Sequence, residues 1–113
     1  MDATNEERDF GQEDREAALT CLAKAIYYEA ASESDAGQRA VAQVVLNRVA
    51  HPSYPATVCG VVFQGSERRT GCQFSFTCDG ALARKPVPAF WERASGGARQ
   101  ALAGAVSAAV GLA

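Results

Sequence analysis

Apolar residues recur at helical spacing in three stretches of this chain, and the segments between them lack that period. Leu19, Leu22 and Ile26 stand three and four positions apart, which sets them on one face of a helix expected over about Glu16 to Ala31. Glu29 continues the same stripe. Ser32-Glu33-Ser34-Asp35 breaks the period with residues that cap helix N-termini. A second helix is expected over about Ala36 to Ala50, with Val41, Val44, Val45 and Val49 as its stripe; Ala40, Ala42 and Leu46 broaden it into a largely buried element. His51-Pro52 ends it, because a proline disfavours helix at the residue before it. His51 itself reads as a helix-end residue near exposed carbonyls rather than a catalyst.

From Ser53 to Pro88 the helical period is lost. Thr57-Val58-Cys59-Gly60-Val61-Val62-Phe63 is short and β-branched, so it reads as a strand or a tight helical turn. Gly65 to Gly71 reads as an exposed loop. Gln73-Phe74-Ser75-Phe76-Thr77 alternates polar and aromatic positions, the pattern of a half-exposed extended segment. Asp79-Gly80 is a turn signal. After Pro86-Val87-Pro88 a third helix opens at Phe90-Trp91 and runs on through a sequence made almost wholly of small and aliphatic residues. Its uncharged run from Gln100 to Ala113 is shorter than the roughly 20 residues that span a bilayer, so no membrane span is expected. Trp91 reads as a core anchor. The pattern predicts a mainly α, α+β-class domain with helices around one short extended segment.

Glu29 is the residue of this pattern that bears on chemistry. A carboxylate on the apolar face of a helix is desolvated, and near a helix C-terminus it also feels the negative end of the macrodipole; both favour the neutral acid. A general acid needs that form. The competing reading is a glutamate paired with a nearby Arg or Lys, or reaching out to water.

The 113 residues, 48% of them hydrophobic, suffice for one core and not for two. Charge is uneven. Residues 1–16 carry seven acids and two arginines, net −5, and the rest six acids against nine Lys and Arg, net +3. Residues 1–15 are therefore expected to form an acidic, flexible leader, and 16–113 the folded domain. The basic body suits an anionic polymer, although +3 is also ordinary for a globular surface. With neither a dense basic stripe nor an interleaved aromatic platform, nucleic acid is a poor partner. The N-terminus has no basic region and no apolar core, so no signal peptide is read in this chain.

Four cysteines, an even number in a short chain, fit an oxidising compartment. Cys72 with Cys78, and Cys21 with Cys59, can make two bridges, although four cysteines permit three connectivities. Zinc is disfavoured because no Cys-x-x-Cys pair is present. No metal and no cofactor are expected.

Several ordered motifs carry a family resemblance. Ala25-Ile-Tyr-Tyr-Glu-Ala-Ala-Ser-Glu-Ser, then Gly37-Gln-Arg-Ala-Val-Ala-Gln-Val-Val-Leu-Asn-Arg-Val49, Pro52-Ser-Tyr-Pro55, Thr57-Val-Cys-Gly-Val-Val62 and Cys72-Gln-Phe-Ser-Phe-Thr-Cys-Asp-Gly80 together resemble the SleB-type cell wall hydrolases, which include the spore cortex-lytic enzymes. The resemblance covers roughly residues 19 to 80. Many members have Ala-Arg-Gly-Glu after the motif glutamate, where this chain has Ala30-Ala31-Ser32-Glu33. The resemblance implies a small lysozyme-like domain, exported to the periplasm or cell envelope, acting as a monomer on peptidoglycan glycan strands, with Glu29 as catalytic acid. It makes Gln73, Phe74 and Ser75 candidate substrate-binding residues, with Tyr28 as a weaker one that could orient the acid or an N-acetyl group. It also implies a further C-terminal segment with a His-Tyr-His-like run, which has no match before Ala113, so the family domain is expected to be shortened.

The count of carboxylates bears on the reaction. Glycosidases that use water need two, and none of Glu33, Asp35, Glu67, Asp79 and Glu92 has an apolar setting as clear as that of Glu29. One suffices where the substrate's own hydroxyl is the nucleophile, as in lytic transglycosylases. The expected activity is a lytic transglycosylase cutting the MurNAc-GlcNAc bond. The alternatives are a muramidase with Asp79 or Glu33 as second carboxylate, and a non-catalytic peptidoglycan-binding domain.

Overall fold

The computed structural model describes residues 13–68 and 71–112, with side chains through residue 105. Four helices build it: α1 (Arg15–Ala30), α2 (Asp35–Val49), the short α3 (Val58–Val62) and the long α4 (Pro88–Leu112), with single 3-10 turns at Ser75–Thr77 and Ala81–Ala83. No strand occurs among the described residues. Helical period locates α1, α2 and the last helix to within about two residues. Two short segments needed correction. The β-branched stretch after Thr57 is a helical turn, and the segment expected to be extended is so at Phe74 and then tightens into the Ser75–Thr77 turn.

The core lies where α1 meets the other three helices. Leu22 and Ile26 of α1, Val45 and Val49 of α2, and Val58, Val61 and Val62 of α3 are its largest fully buried side chains; each contributes roughly 1.5–3 kcal/mol by leaving water. The last helix meets them with Ala94, Gly97 and Ala98. The two alanines are fully buried, and a Cβ on Gly97 would already be in van der Waals contact with Gln38 and Ile26. Small residues on that face let the helix axes approach closely. Trp91 packs on this core edge-on to Tyr27, with ring centroids 6.0 Å apart. On α2 the buried face is Gln38, Ala42, Val45, Leu46 and Val49. Val44, expected in the stripe, is exposed, because one residue's rotation of about 100° from Val45 turns it to solvent.

Helix ends are held by named groups. Asp14 and Ser34 cap α1 and α2. Glu13 caps α3 from far away in sequence, one oxygen accepting from Val58 N at 2.7 Å and the other from Cys59 N at 2.8 Å, while Thr57 Oγ1 accepts from Gly60 N at 3.0 Å. The first three free N–H groups of α3 are thus all satisfied. Glu13 belongs to the stretch read as leader and serves as a helix cap instead; residues 1–12 lie outside the described residues. At the other end of α1, buried Gln38 donates Nε2 to Ala30 O at 3.0 Å, and Arg93 Nη1 donates to Ala31 O at 3.2 Å while its Nη2 pairs with Asp35 Oδ1 at 2.8 Å.

Two disulfides close the fold, Cys21–Cys59 between α1 and α3 and Cys72–Cys78 around the Ser75 turn. No cysteine is left free.

Candidate active site

Glu29 occupies the last turn of α1. At about 100° per residue it points about 20° from Leu22, along the meridian that α1 turns to the core. It is nonetheless exposed, and among the described residues its side chain makes no hydrogen bond or ion pair. The helical stripe is present, but burial does not extend to Glu29. Burial follows from what covers a position: in the same turn Ala30 is buried, with Gln38 bonded to its carbonyl, while Glu29 is left open. The carboxylate is therefore presented on an open surface rather than desolvated. The negative end of α1 is also answered by donors from Gln38 and Arg93.

The two residues before Glu29 are fixed from both sides. Tyr27 accepts from Val87 N at 2.8 Å, and Tyr28 donates to Arg84 O at 3.4 Å. Their rings meet edge to face at 4.9 Å, and Tyr28 stacks on Phe76 with centroids 4.9 Å apart. Phe76 in turn touches Phe63 and Phe74. A continuous aromatic row thus runs from Trp91 on α4, through the α1 turn that carries Glu29, into the disulfide-closed turn. Each such contact adds about 0.5–1.5 kcal/mol beyond its buried area.

That row contains two of the candidates. Phe74 is buried, with its ring against Phe76 and under the Arg48 guanidinium, so it presents no face to a sugar. The ring and hydroxyl of Tyr28 are engaged by Phe76, Tyr27 and Arg84. Phe74 thus serves the core, while Tyr28, expected to orient the acid or an N-acetyl group, is half-buried beside Glu29. Gln73 and Ser75, the polar members of the alternation, are exposed. Gln73 is anchored through its N–H to Gln64 O at 3.0 Å and through Oε1, which accepts from Arg48 Nη1 at 2.8 Å. Arg48 went unnoticed in the sequence because a single Arg at a helix end carries no local signal. Gln38 could have been found, since 38, 42, 45 and 49 lie on one helical face.

Asp79 Oδ1 accepts from Ala81 N at 2.9 Å, in a turn whose Gly80 has φ +89°. His51 Nδ1 accepts from Ser53 N at 3.0 Å and closes the turn after α2. A groove of about 250 Å³ between α2 and α4 is lined by Asp35, Gln38, Arg39, Glu92 and Arg93, around the groups that cap α1. Among the described residues no cluster of three or more His, Cys, Asp or Glu could hold a metal ion, and no helix is long and apolar enough to cross a membrane.

The family model described as cell wall hydrolase matches residues 32–113. The chain belongs to the cell wall hydrolase family. Glu29 stands just before the matched stretch. The chain is 43% identical over 61 residues to a spore cortex-lytic enzyme of Bacillus cereus, covering 54% of this chain and 22% of that protein. With the spore cortex-lytic enzyme of Bacillus subtilis it shares 37% identity over 68 residues, 60% of this chain and 20% of that one. With that of Halalkalibacterium halodurans it shares 46% over 46 residues, 41% and 14% respectively. The chain thus spans about a fifth or less of these relatives. No solved structure gives a significant match.

Proposed function

We propose that this domain cleaves peptidoglycan at the MurNAc-GlcNAc linkage as a lytic transglycosylase, acting outside the cytoplasm, with Glu29 as the one carboxylate that serves first as acid and then as base. The observation that carries the reading is the setting of Glu29, on the core-facing meridian of α1 yet open to solvent, on a turn held rigid by Tyr27 and Tyr28. Family membership and the spore cortex-lytic relatives support the substrate.

In the proposed reaction the glycan strand lies over the end of α1 and excludes water from the carboxyl group. Glu29 gives its proton to the glycosidic oxygen as the bond from that oxygen to C1 of MurNAc breaks. The C6 hydroxyl of the same MurNAc attacks C1, and its proton passes to the Glu29 carboxylate, which restores the acid. No second carboxylate and no water are consumed. The use of Asp79 as a turn cap favours this over a hydrolytic mechanism that would recruit it.

Mass spectrometry of digested cell walls tests the proposal. Released muropeptides should end in 1,6-anhydro-MurNAc, one water lighter than a hydrolytic product. Exclusively reducing ends would instead indicate a muramidase and direct attention to Asp79 and Glu33. Retention on walls without any fall in their turbidity would indicate a binding domain.

A further inference from the structure

We infer that Arg48 is a positioning residue that turns the Gln73 side-chain amide so that its NH2 group faces the substrate, and that this NH2 group recognises the acetamido carbonyl oxygen of an N-acetylated sugar. This rests on the peptidoglycan reading above.

The orientation follows from the chemistry of the pair. A guanidinium has only donors, so the Gln73 atom 2.8 Å from Arg48 Nη1 has to be the oxygen, and the amide cannot be flipped. The guanidinium is itself fixed, 5.4 Å from the Tyr54 ring centroid and 6.0 Å from that of Phe74. Among the described residues it has no carboxylate partner. Its charge is answered by two ring faces and by Gln73 Oε1. At the other end the Gln73 backbone is bonded to Gln64 O, and its neighbour Cys72 is bridged to Cys78. The side chain is thus held at base and tip while remaining exposed.

A group held in this way has one thing left to offer. With Oε1 accepting from a cation, the amide is polarised and its two N–H groups become better donors. They call for an acceptor, and a carbonyl oxygen is the strong neutral acceptor that peptidoglycan sugars carry. A de-N-acetylated sugar replaces that carbonyl with an ammonium, which both the NH2 group and the positive charge of Arg48 repel.

The test is steady-state kinetics of the whole chain on N-acetylated and de-N-acetylated cell walls, with melting temperatures measured alongside. Wild type should prefer the acetylated wall. Gln73→Glu should keep or raise the melting temperature, because a carboxylate there pairs with Arg48. It should also raise KM on acetylated wall about tenfold with kcat nearly unchanged, and lose the preference, since it has no donor left. Arg48→Met should raise KM a few-fold by freeing the amide, and Arg48→Lys should recover part of that loss. A Gln73→Glu protein with wild-type KM and wild-type preference overturns the inference. So does one that loses kcat alone. A wild-type chain inert on both walls overturns the peptidoglycan reading and this inference with it, and that failure is visible before any variant is made.

Discussion

The end of the molecule around α3 and the surface around Glu29 are built on opposite plans. At α3 every group is used: three valines are fully buried, three N–H groups are capped by Glu13 and Thr57, and Cys59 is bridged to α1. Around Glu29 the backbone is held as firmly, by the Tyr27 and Tyr28 hydroxyls, by Gln38 and Arg93 at the end of α1, and by the second disulfide. The side chains of Glu29 and Ser75 nevertheless project into solvent with no partner among the described residues, and exposed Gln73 is bonded through its Oε1 alone. A fixed backbone with idle polar side chains is what a preorganised binding surface requires, whereas a region that serves stability leaves few groups idle. The difference predicts that substitutions in the two regions will fail in different assays.

The two disulfides give the widest separation. Cys21–Cys59 closes a loop of 38 residues and Cys72–Cys78 one of 6, so chain entropy assigns them about 4 and about 2 kcal/mol respectively. Replacing Cys21 and Cys59 by serine should lower unfolding stability by the larger amount and leave KM on cell walls unchanged for the protein that remains folded. Replacing Cys72 and Cys78 should cost less stability and yet raise KM, because Gln73 and Ser75 lie inside that loop. Denaturant unfolding and wall-digestion kinetics on both double variants check this. Equal KM values would mean that the small loop plays no part in binding.

Glu29→Gln comes next. The amide is nearly isosteric and the position is exposed, so unfolding stability should stay within about 0.5 kcal/mol of wild type. Wall digestion should fall at least about 10²-fold, on ordinary general-acid magnitudes. A variant that digests walls at the wild-type rate removes Glu29 from the mechanism.

The sequence made the helices legible because their period is written locally. It made the Gln73 to Thr77 alternation legible for the same reason: Phe74 and Phe76 are buried, and Gln73 and Ser75 are exposed. It failed where position depends on a distant partner. Nothing near Glu13 announces that it caps a helix 45 residues further on, and nothing near Arg48 announces Gln73, 25 residues away. The exposure of Glu29 was hidden for a related reason. A helical stripe states which way a side chain points, but only the arrangement of the other helices decides where the cover over it ends.

Gly65 probes the link between the two regions. Its φ is +79°, and a Cβ there would stand 2.8 Å from Gly71 O and 3.1 Å from Cys72 Cα. The close approach brings Gln73 N to Gln64 O. Gly65→Ala should cost about 2 kcal/mol from left-handed backbone strain together with the clash, and it should also raise KM by displacing Gln73. Stability loss with unaltered KM would show that the Gln73 loop tolerates movement at its base.

The smallest effect is the sharpest contrast, because it uses the same chemical change as at Glu29. Glu13 accepts two N–H bonds, one on each carboxylate oxygen, at the start of α3. Glutamine retains one acceptor and turns an NH2 group toward the other N–H, so one bond is lost and the favourable charge at the helix start goes with it. Glu13→Gln should therefore lower stability by about 1–2 kcal/mol, read from urea unfolding. Turnover and KM should be unchanged, since the described bonds of Glu13 are to α3, which Cys59 and three buried valines keep in place. Glu29→Gln should give the reverse, with stability kept and turnover lost. If Glu13→Gln reduced turnover at full stability, the α3 end would belong to the working surface, and the division of the molecule into a supporting and a presenting region would fail.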